Sequence, residues 1–271
     1  MKLSIFTHIT NPDERMDPWK ESLSCYEYFA DEVVIKGKDW QYEFQWDYIG
    51  KVFQQGFDSS TGDWVINMPI DMMFHQKDVK KLRDMLNQYN NYPAVVFPKF
   101  KFFTYKKCEF KNFDALAINK KKFPNVKFNG GKDLCLATLD GVVLDQNNIP
   151  IVNIPIWNYD TTFRTKEVIS EDRARFARAW FRQFNSWDDR GGGTPDEAYN
   201  SWIKMVISRL PNHLIRKSMS DHPFFIIEKL DSLKKNQFGY NCFGYLDEIK
   251  PDLNSYLNFV KKKIKFHRIK I

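Results

Sequence analysis

The chain reads as an α/β protein with a mostly parallel central sheet flanked by helices and a helical C-terminal extension. Two observations predict this class. Strand-sized apolar runs alternate with amphipathic helical segments through the first hundred residues, and beyond about residue 166 the pattern becomes helical. Alternating strands and helices imply parallel strands joined by crossover helices, with both sheet faces covered.

In chain order, "KLSIFTHI" has the pattern of a buried strand. "DPWKESLSCYEYFA" has that of an amphipathic helix, with Asp17 as N-cap and Pro18 at its first position, and "DEVVIKG" is a second strand. The amphipathic "WDYIGKVFQQGFDSS" runs to a stop at Gly62 and is followed by the strand "DWVINM". A helix in "KDVKKLRDMLNQYNN" and the strand "AVVFPKFKFF" come next. From about residue 108 the pattern is irregular, with short strand-like pieces at "FDALAIN" and "IPIVNIPIWNY". In "TKEVISEDRARFARAWFRQF" the residues Val168, Phe176, Trp180 and Phe184 fall near one helical face, and a Gly-rich loop separates it from "EAYNSWIKMVISRL". The division expected is a core over residues 1–165 and a mainly helical extension over 166–271 packed on it. No internal repeat is present.

With 271 residues, 43% of them hydrophobic, the chain can bury a sizeable core. No apolar run reaches the roughly 18 residues that a membrane-spanning helix needs, and the first residues run into a turn without the apolar stretch of a signal peptide; a cytoplasmic protein is expected. Cys25, Cys108, Cys135 and Cys242 are widely spaced and read as reduced core thiols. The net charge of +7 gathers largely in "KKK" at 120–122 and in "VKKKIKFHRIKI". No nucleic-acid motif accompanies that charge, so a solvated basic surface explains it better than nucleic acid does; peripheral membrane contact stays open.

The acid Asp71 closes the apolar run "TGDWVINMPIDMMFHQKD". In open α/β sheets ligands bind beyond the carboxyl ends of the strands, where a carboxylate is well placed to hold a divalent cation that takes its other oxygens from water and substrate phosphates. Capping of the following turn, or pairing with Lys77, explains Asp71 equally well.

"TGDWVINMPIDMMFHQKD" resembles the signature of family 2-type glycosyltransferases, in which a Gly-Asp-Trp turn feeds a strand ending in Asp-x-Asp; Asp71 matches the second Asp. "SIFTHITN" through "DEVVIKG" resembles the family's first strand, helix and second strand, and "PIWNYDTTFRTKEVISEDRARFARAWF" its segment of a His-containing element, an Arg and a helix. The resemblance spans residues 3 to 185 and implies the nucleotide-diphospho-sugar transferase fold called GT-A. It also implies a donor site at Thr7, His8, Lys38, Asp39, Gln54 and Arg164. The metal, Mn or Mg, would be held by Asp71 and Asn158, and Asp133 in "FNGGKDLCL" would be the general base, with Lys132 beside it. A solvent-facing turn acid is the competing reading of Asp133. Asp63 is expected to tie down its turn, and His75 to cap or pack at a helix entry. The motif departs from the family at Pro69, at Met72 and at Asn158, which stands in the place of a His.

The function so implied is an inverting transfer of a sugar from a nucleotide-sugar donor to a glycan, lipid or protein acceptor. The alternative is a non-catalytic GT-A-like protein that binds a nucleotide sugar or glycan; the missing acids at 69 and 72 favour it.

Overall fold

Alternate residues of β1 (Leu3–His8) enter opposite cores. Leu3 and Ile5 join one apolar cluster, and Phe6 joins the other. A strand buried on both faces is the signature of a sheet covered by crossover helices. The computed structural model describes residues 1–38, 41–43, 45–131 and 135–248, with 253–254, 256–257 and 260–261 beyond them.

After β1 come α1 (Trp19–Phe29), β2 (Glu32–Lys36), α2 (Trp46–Ser59) and β3 (Trp64–Asn67). There follow β4 (Met72–Met73), α3 (Val79–Gln88), the long hairpin β5 (Ala94–Thr104) and β6 (Lys107–Ile118), then β7 (Lys127–Gly130), β8 (Leu136–Leu139), β9 (Val142–Val143) and β10 (Ile156–Asn158). Last are α4 (Lys166–Phe184), α5 (Pro195–Arg209), β11 (Ile215–Arg216), α6 (Ile227–Asp231), α7 (Phe238–Asn241) and α8 (Tyr245–Glu248).

The main sheet runs in the order β2-β1-β3-β6-β5-β10-β4, with β11 paired to β6; β7, β8 and β9 form a separate small sheet. Strands β1, β2, β3, β5 and β10 share one direction, while β6 and β4 oppose them. The protein is therefore a mixed α/β fold with a mostly parallel central sheet flanked by helices. The segment that read as irregular from residue 108 opens with β6 and continues through β7, β8, β9 and β10. Strand β5 meets β6 through register shifts around Pro98, the reason the alternation of β6 is hard to read in sequence.

Helices α1 and α3 supply Cys25, Tyr26, Phe29, Leu82 and Leu86 to one core, and α2 with the small sheet supplies Phe57, Phe128 and Ala137 to the other. Gly56 permits the close approach of α2 to β1, since a Cβ there would lie 2.4 Å from Cδ2 of Phe6. Helix α4 starts at Thr165, whose hydroxyl accepts from Val168 N. Its buried face is Ile169, Ala174, Ala177 and Ala179, and the aromatic stripe at 176, 180 and 184 is only half-buried. The small residues win that face because Ala174 and Ala177 pack directly on Ala198 of α5. Among the described residues no cysteine forms a disulfide, and Cys25, Cys108 and Cys242 are buried. Among the described residues no helix is long and apolar enough to cross a membrane.

Candidate functional site

Strand β3 ends at Asn67, and the chain turns through Pro69, Ile70 and Asp71 before β4. Three hydrogen bonds to two backbone carbonyls fix this turn. Pro69 O takes the N–H of Met72 at 2.9 Å and the hydroxyl of Tyr26 at 2.6 Å, and Ile70 O takes the Ser22 hydroxyl at 2.6 Å. Tyr159 N–H donates to Asp71 O at 2.8 Å, tying the turn to the end of β10. Asp71 thus stands on a fixed platform beyond the carboxyl end of β3, and among the described residues its side chain makes no capping bond to a turn.

The opposite wall is the loop from β1 to α1. Arg15 N bonds Asn11 O at 3.0 Å and Asp17 N bonds Pro12 O at 2.9 Å, and Asn11 and Met16 take left-handed φ values of 40° and 56°. The fold turns the Asp17 side chain away from α1. Pro18 occupies the N-cap position with no side-chain bond, and Asp17 instead accepts from Arg164 Nη2 at 2.5 Å and from Arg15 Nε at 3.1 Å. A residue expected to cap the helix therefore belongs to the site. The ionic bonds outcompete the capping bond because charge-assisted bonds to guanidinium are the stronger kind.

Arg164 also donates to Asp172 Oδ2 at 2.9 Å, and Asp172 pairs with Arg15 as well. Asp160, at the turn after β10, is held by Lys101 of β5 and lies 3.6 Å from Arg173 Nη2. These elements enclose a cavity of about 190 Å³ lined by His8, Arg15, Asp17, Asp71, Arg164, Arg175 and Phe176 among others.

The electrostatics separate Asp71 from its neighbours. Burial, then the charges of Asp160 and Asp17, push the Asp71 carboxyl up to about 6 against the pull of Lys101 and Arg164. Burial also opposes ionisation of Asp172, yet Arg15 and Arg164 outweigh it and hold that carboxyl at about 2. Asp160 stays well below the usual carboxylate range, Lys101 overcoming its desolvation. Asp71 Oδ1 is sealed from solvent and has no hydrogen-bond partner among the described residues, an arrangement that costs on the order of 1–3 kcal/mol and that a ligand would relieve. Asp17, Asp160 and Asp172 already hold cations, and among the described residues no group of three or more His, Cys, Asp or Glu is arranged for a metal ion. Asp71 by itself fits a divalent cation that draws its remaining ligands from water and phosphate oxygens.

The sequence-predicted residues divide. His8, Asp71 and Arg164 meet in the cleft. His8 packs beside Phe53 with its ring tilted and the centres 4.7 Å apart, and burial with nearby Arg15 lowers its pKa to about 4, so it is neutral at pH 7. Thr7 is fully buried in β1 and Lys38 is exposed after β2; neither lines the cleft. Gln54 is turned to structure instead: its Oε1 accepts from Phe128 N at 3.0 Å and its Nε2 bonds Asp58 at 2.8 Å, fastening α2 to β7. Asn158 is buried in β10 opposite Met72 and does not line the cleft. Asp39, Asp133 and Lys132 lie outside the described residues. Asp63 ties its turn to Lys2 N at 2.9 Å and to Lys121 Nζ at 3.0 Å, and His75 Nδ1 accepts from Lys77 N at 3.2 Å at the helix entry.

Sequence reasoning missed Arg15, Lys101, Asp160, Asp172, Arg173 and Arg175. The dense arginines of "EDRARFAR" were the available signal for the residues on α4.

No family model matches the chain, and no curated protein matches it. Solved structures that resemble it include S. aureus TarS 1-349, at 12% identity and a TM-score of 0.35 over 92% of this chain and 88% of that one. The same protein in complex with UDP-GlcNAc aligns at 10% identity and a TM-score of 0.30, over 92% and 89%. CMP:2-keto-3-deoxy-manno-octonic acid synthetase complexed with CTP aligns at 11% and 0.26, over 44% and 75%. Superpositions this loose carry no functional argument.

Proposed function

We propose that the protein is a glycosyltransferase that moves a sugar from a nucleotide-sugar donor to an acceptor hydroxyl. One observation carries the reading: Asp71 keeps a sealed carboxylate oxygen, without a hydrogen-bond partner among the described residues, in an arginine-lined cleft at the carboxyl ends of β1 and β3. The resemblance around "TGDWVINMPIDMMFHQKD" supports it independently of that geometry.

In this reading Arg15, Arg164 and Arg175 face the donor diphosphate, where planar guanidinium groups suit phosphate oxygens. A cavity of about 190 Å³ takes the diphosphate and leaves nucleoside and sugar at the mouth. Asp71 would hold a Mn or Mg ion that supplies positive charge to the departing diphosphate. The acceptor oxygen bonds to the anomeric carbon with inversion and gives its proton to a carboxylate. The bond from that carbon to the diphosphate breaks, and its electron pair leaves with the diphosphate. Asp133 is assigned as the base on the resemblance alone. Neutral His8 packs against the site without adding charge.

The second reading, a non-catalytic binder of nucleotide sugars, is favoured by the pairing of Asp17, Asp160 and Asp172 with cations, which leaves one acid for a metal. Calorimetric titration of UDP and of GDP, with and without Mn²⁺, into the native protein and Asp71→Ala tests the donor site. Binding that needs both metal and Asp71 supports the transferase; binding indifferent to both removes the metal role, and no binding at all removes the donor site. Release of the free nucleotide from a nucleotide sugar over time separates the enzyme from the binder.

A further inference from the structure

The Gly-rich loop between α4 and α5 builds a second cavity beside the cleft. After α4 the chain takes left-handed φ values of 51° at Asn185 and 46° at Asp188, makes a 3-10 turn over Asp188–Arg190 and folds back on α5 through Gly191. A Cβ at Gly191 would lie 2.5 Å from Glu197 O, and one at Gly192 would lie 2.4 Å from Glu197 Oε2, so glycine is what lets the loop approach this closely. Ser201 Oγ donates to Asp189 O at 2.5 Å and Arg178 Nη1 to Gly193 O at 2.8 Å, fastening the loop to both helices.

The cavity so enclosed has a volume of about 310 Å³, and Phe176 lines both it and the cleft. Phe176, Ala198, Trp202 and Met205 supply apolar wall. Its charged groups are Arg173, Arg190 and Asp189. Each guanidinium lies over an aromatic ring, Arg190 at 3.4 Å from the centre of Trp180 and Arg173 at 5.6 Å from that of Trp202, which limits its freedom to turn. The Nε of each has no hydrogen-bond partner among the described residues. Arg190 Nη1 donates to Asp189 at 3.0 Å, and Arg173 Nη2 stands 3.6 Å from Asp160, an acid that Lys101 already holds. Burial outweighs Asp189 and Asp188 and lowers the pKa of Arg190, so its charge is incompletely balanced in the fold.

Two cations and one acid leave this lining with one positive charge. A single negative charge balances it, whereas a dianion such as phosphate would also meet the Asp189 carboxylate. Guanidinium groups match the planar carboxylate, and the volume lies at the small end of the range for organic ligands, with room for an apolar body. We infer that the cavity between α4 and α5 binds a small organic monocarboxylate, with its carboxylate on Arg173 and Arg190 and its apolar body against Phe176, Trp202 and Met205. The inference does not depend on the activity of the cleft.

Calorimetric titration of the full chain with phenylacetate tests it, beside the neutral phenylacetamide and inorganic phosphate. Phenylacetate should bind saturably at one site, and the other two about tenfold more weakly or worse. Arg173→Gln and Arg190→Gln should each weaken phenylacetate by about tenfold or more, the size of a lost charge-assisted bond. Met205→Trp fills the cavity from α5 with both arginines in place and should abolish binding, a near-native thermal melt showing that the fold is intact. Absence of saturable phenylacetate binding overturns the inference. So does equal binding of phenylacetamide, which leaves an apolar pocket alone, or equal binding of phosphate, which leaves a bare pair of cations. Undiminished binding by the folded Met205→Trp variant, or by both arginine variants, places the ligand elsewhere on the protein and overturns it as well.

Discussion

Arg164 Nη2 donates to Asp17 Oδ1 at 2.5 Å across 147 residues of sequence, joining the loop after β1 to the entrance of α4, and the same guanidinium reaches Asp172 at 2.9 Å. Both partners lie in a wall of the cleft, and Arg164 is only 4% exposed. Removing one side of a buried ionic network leaves charge without compensation, which costs about 3–5 kcal/mol. Arg164→Gln should therefore destabilise by that order in urea unfolding at pH 7. Adding Asp17→Asn should return part of the loss, because one stranded carboxylate disappears. Strict additivity of the two substitutions would show that the residues do not act together. Asp172, held at about 2, stabilises the fold above the ordinary carboxylate pKa and loses that contribution as pH falls through about 2, so the variant should have a shallower acid limb.

Asp71 carries the opposite sign. Its carboxyl is raised to about 6, so between the ordinary carboxylate pKa and that value the folded protein keeps a proton that the unfolded chain has shed. Stability falls as pH climbs through this window. Asp71→Asn should stabilise the protein by about 2 kcal/mol at pH 7, allowing for the open side of the cleft, and by nearly nothing at pH 4. The same variant should lose metal-dependent nucleotide binding. A variant less stable than the native protein at pH 7 would show that the Asp71 charge is satisfied in the fold.

Strands β1, β2, β3 and β5 were legible because their apolar runs are long enough to cross a covered sheet, and α4 and α5 because apolar spacing and the Gly-rich loop between them mark two helices. Asp71 was legible through its surroundings in sequence. Asp17 was not, because an Asp before a Pro at a helix start carries a strong capping signal, and nothing local reveals that Arg164 will claim it. Lys101 was hidden for a related reason. Within "FPKFKFF" it reads as a solvated residue of an alternating strand, yet it is buried and meets Asp160, which follows 59 residues later. Gln54 shows the converse, a polar residue on a helix drawn to the donor site by resemblance and occupied in the fold by the backbone of Phe128.

Gly62 serves the junction of β1 and β3. A Cβ there would lie 2.5 Å from Ser4 Oγ and 2.7 Å from both Ser4 N and Trp64 O, and the Gly62 N–H donates to Ser4 Oγ at 2.8 Å. Two of the three obstacles are backbone and cannot turn aside, so Gly62→Ala should cost about 1–3 kcal/mol. Gly141, at φ +80° with open space around its Cβ position, is the comparison: alanine there meets only backbone strain, about 1 kcal/mol. Thermal melts of the two variants should rank in that order, and equal losses would place the cost at Gly62 in conformation rather than in contact.

His213 is 2% exposed and stacks on Phe103 at 4.1 Å between ring centres. Burial lowers its pKa to about 3, so the folded state keeps the ring neutral while the unfolded chain takes up a proton below about 6.5. Stability is unaffected above that value and declines as pH falls from 6.5 towards 3, by up to on the order of 4 kcal/mol. His8 and His222, both lowered to about 4 chiefly by burial, act in the same direction over a narrower range. His213→Phe keeps a flat ring against Phe103 and removes the titrating group. Its stability relative to the native protein, followed by urea unfolding from pH 7 down to pH 4, should rise steadily as the medium becomes more acidic. The limb will be reduced without vanishing, because His8 and His222 remain. A constant difference between the two proteins across that range would mean that His213 is protonated in the fold as readily as in the unfolded chain.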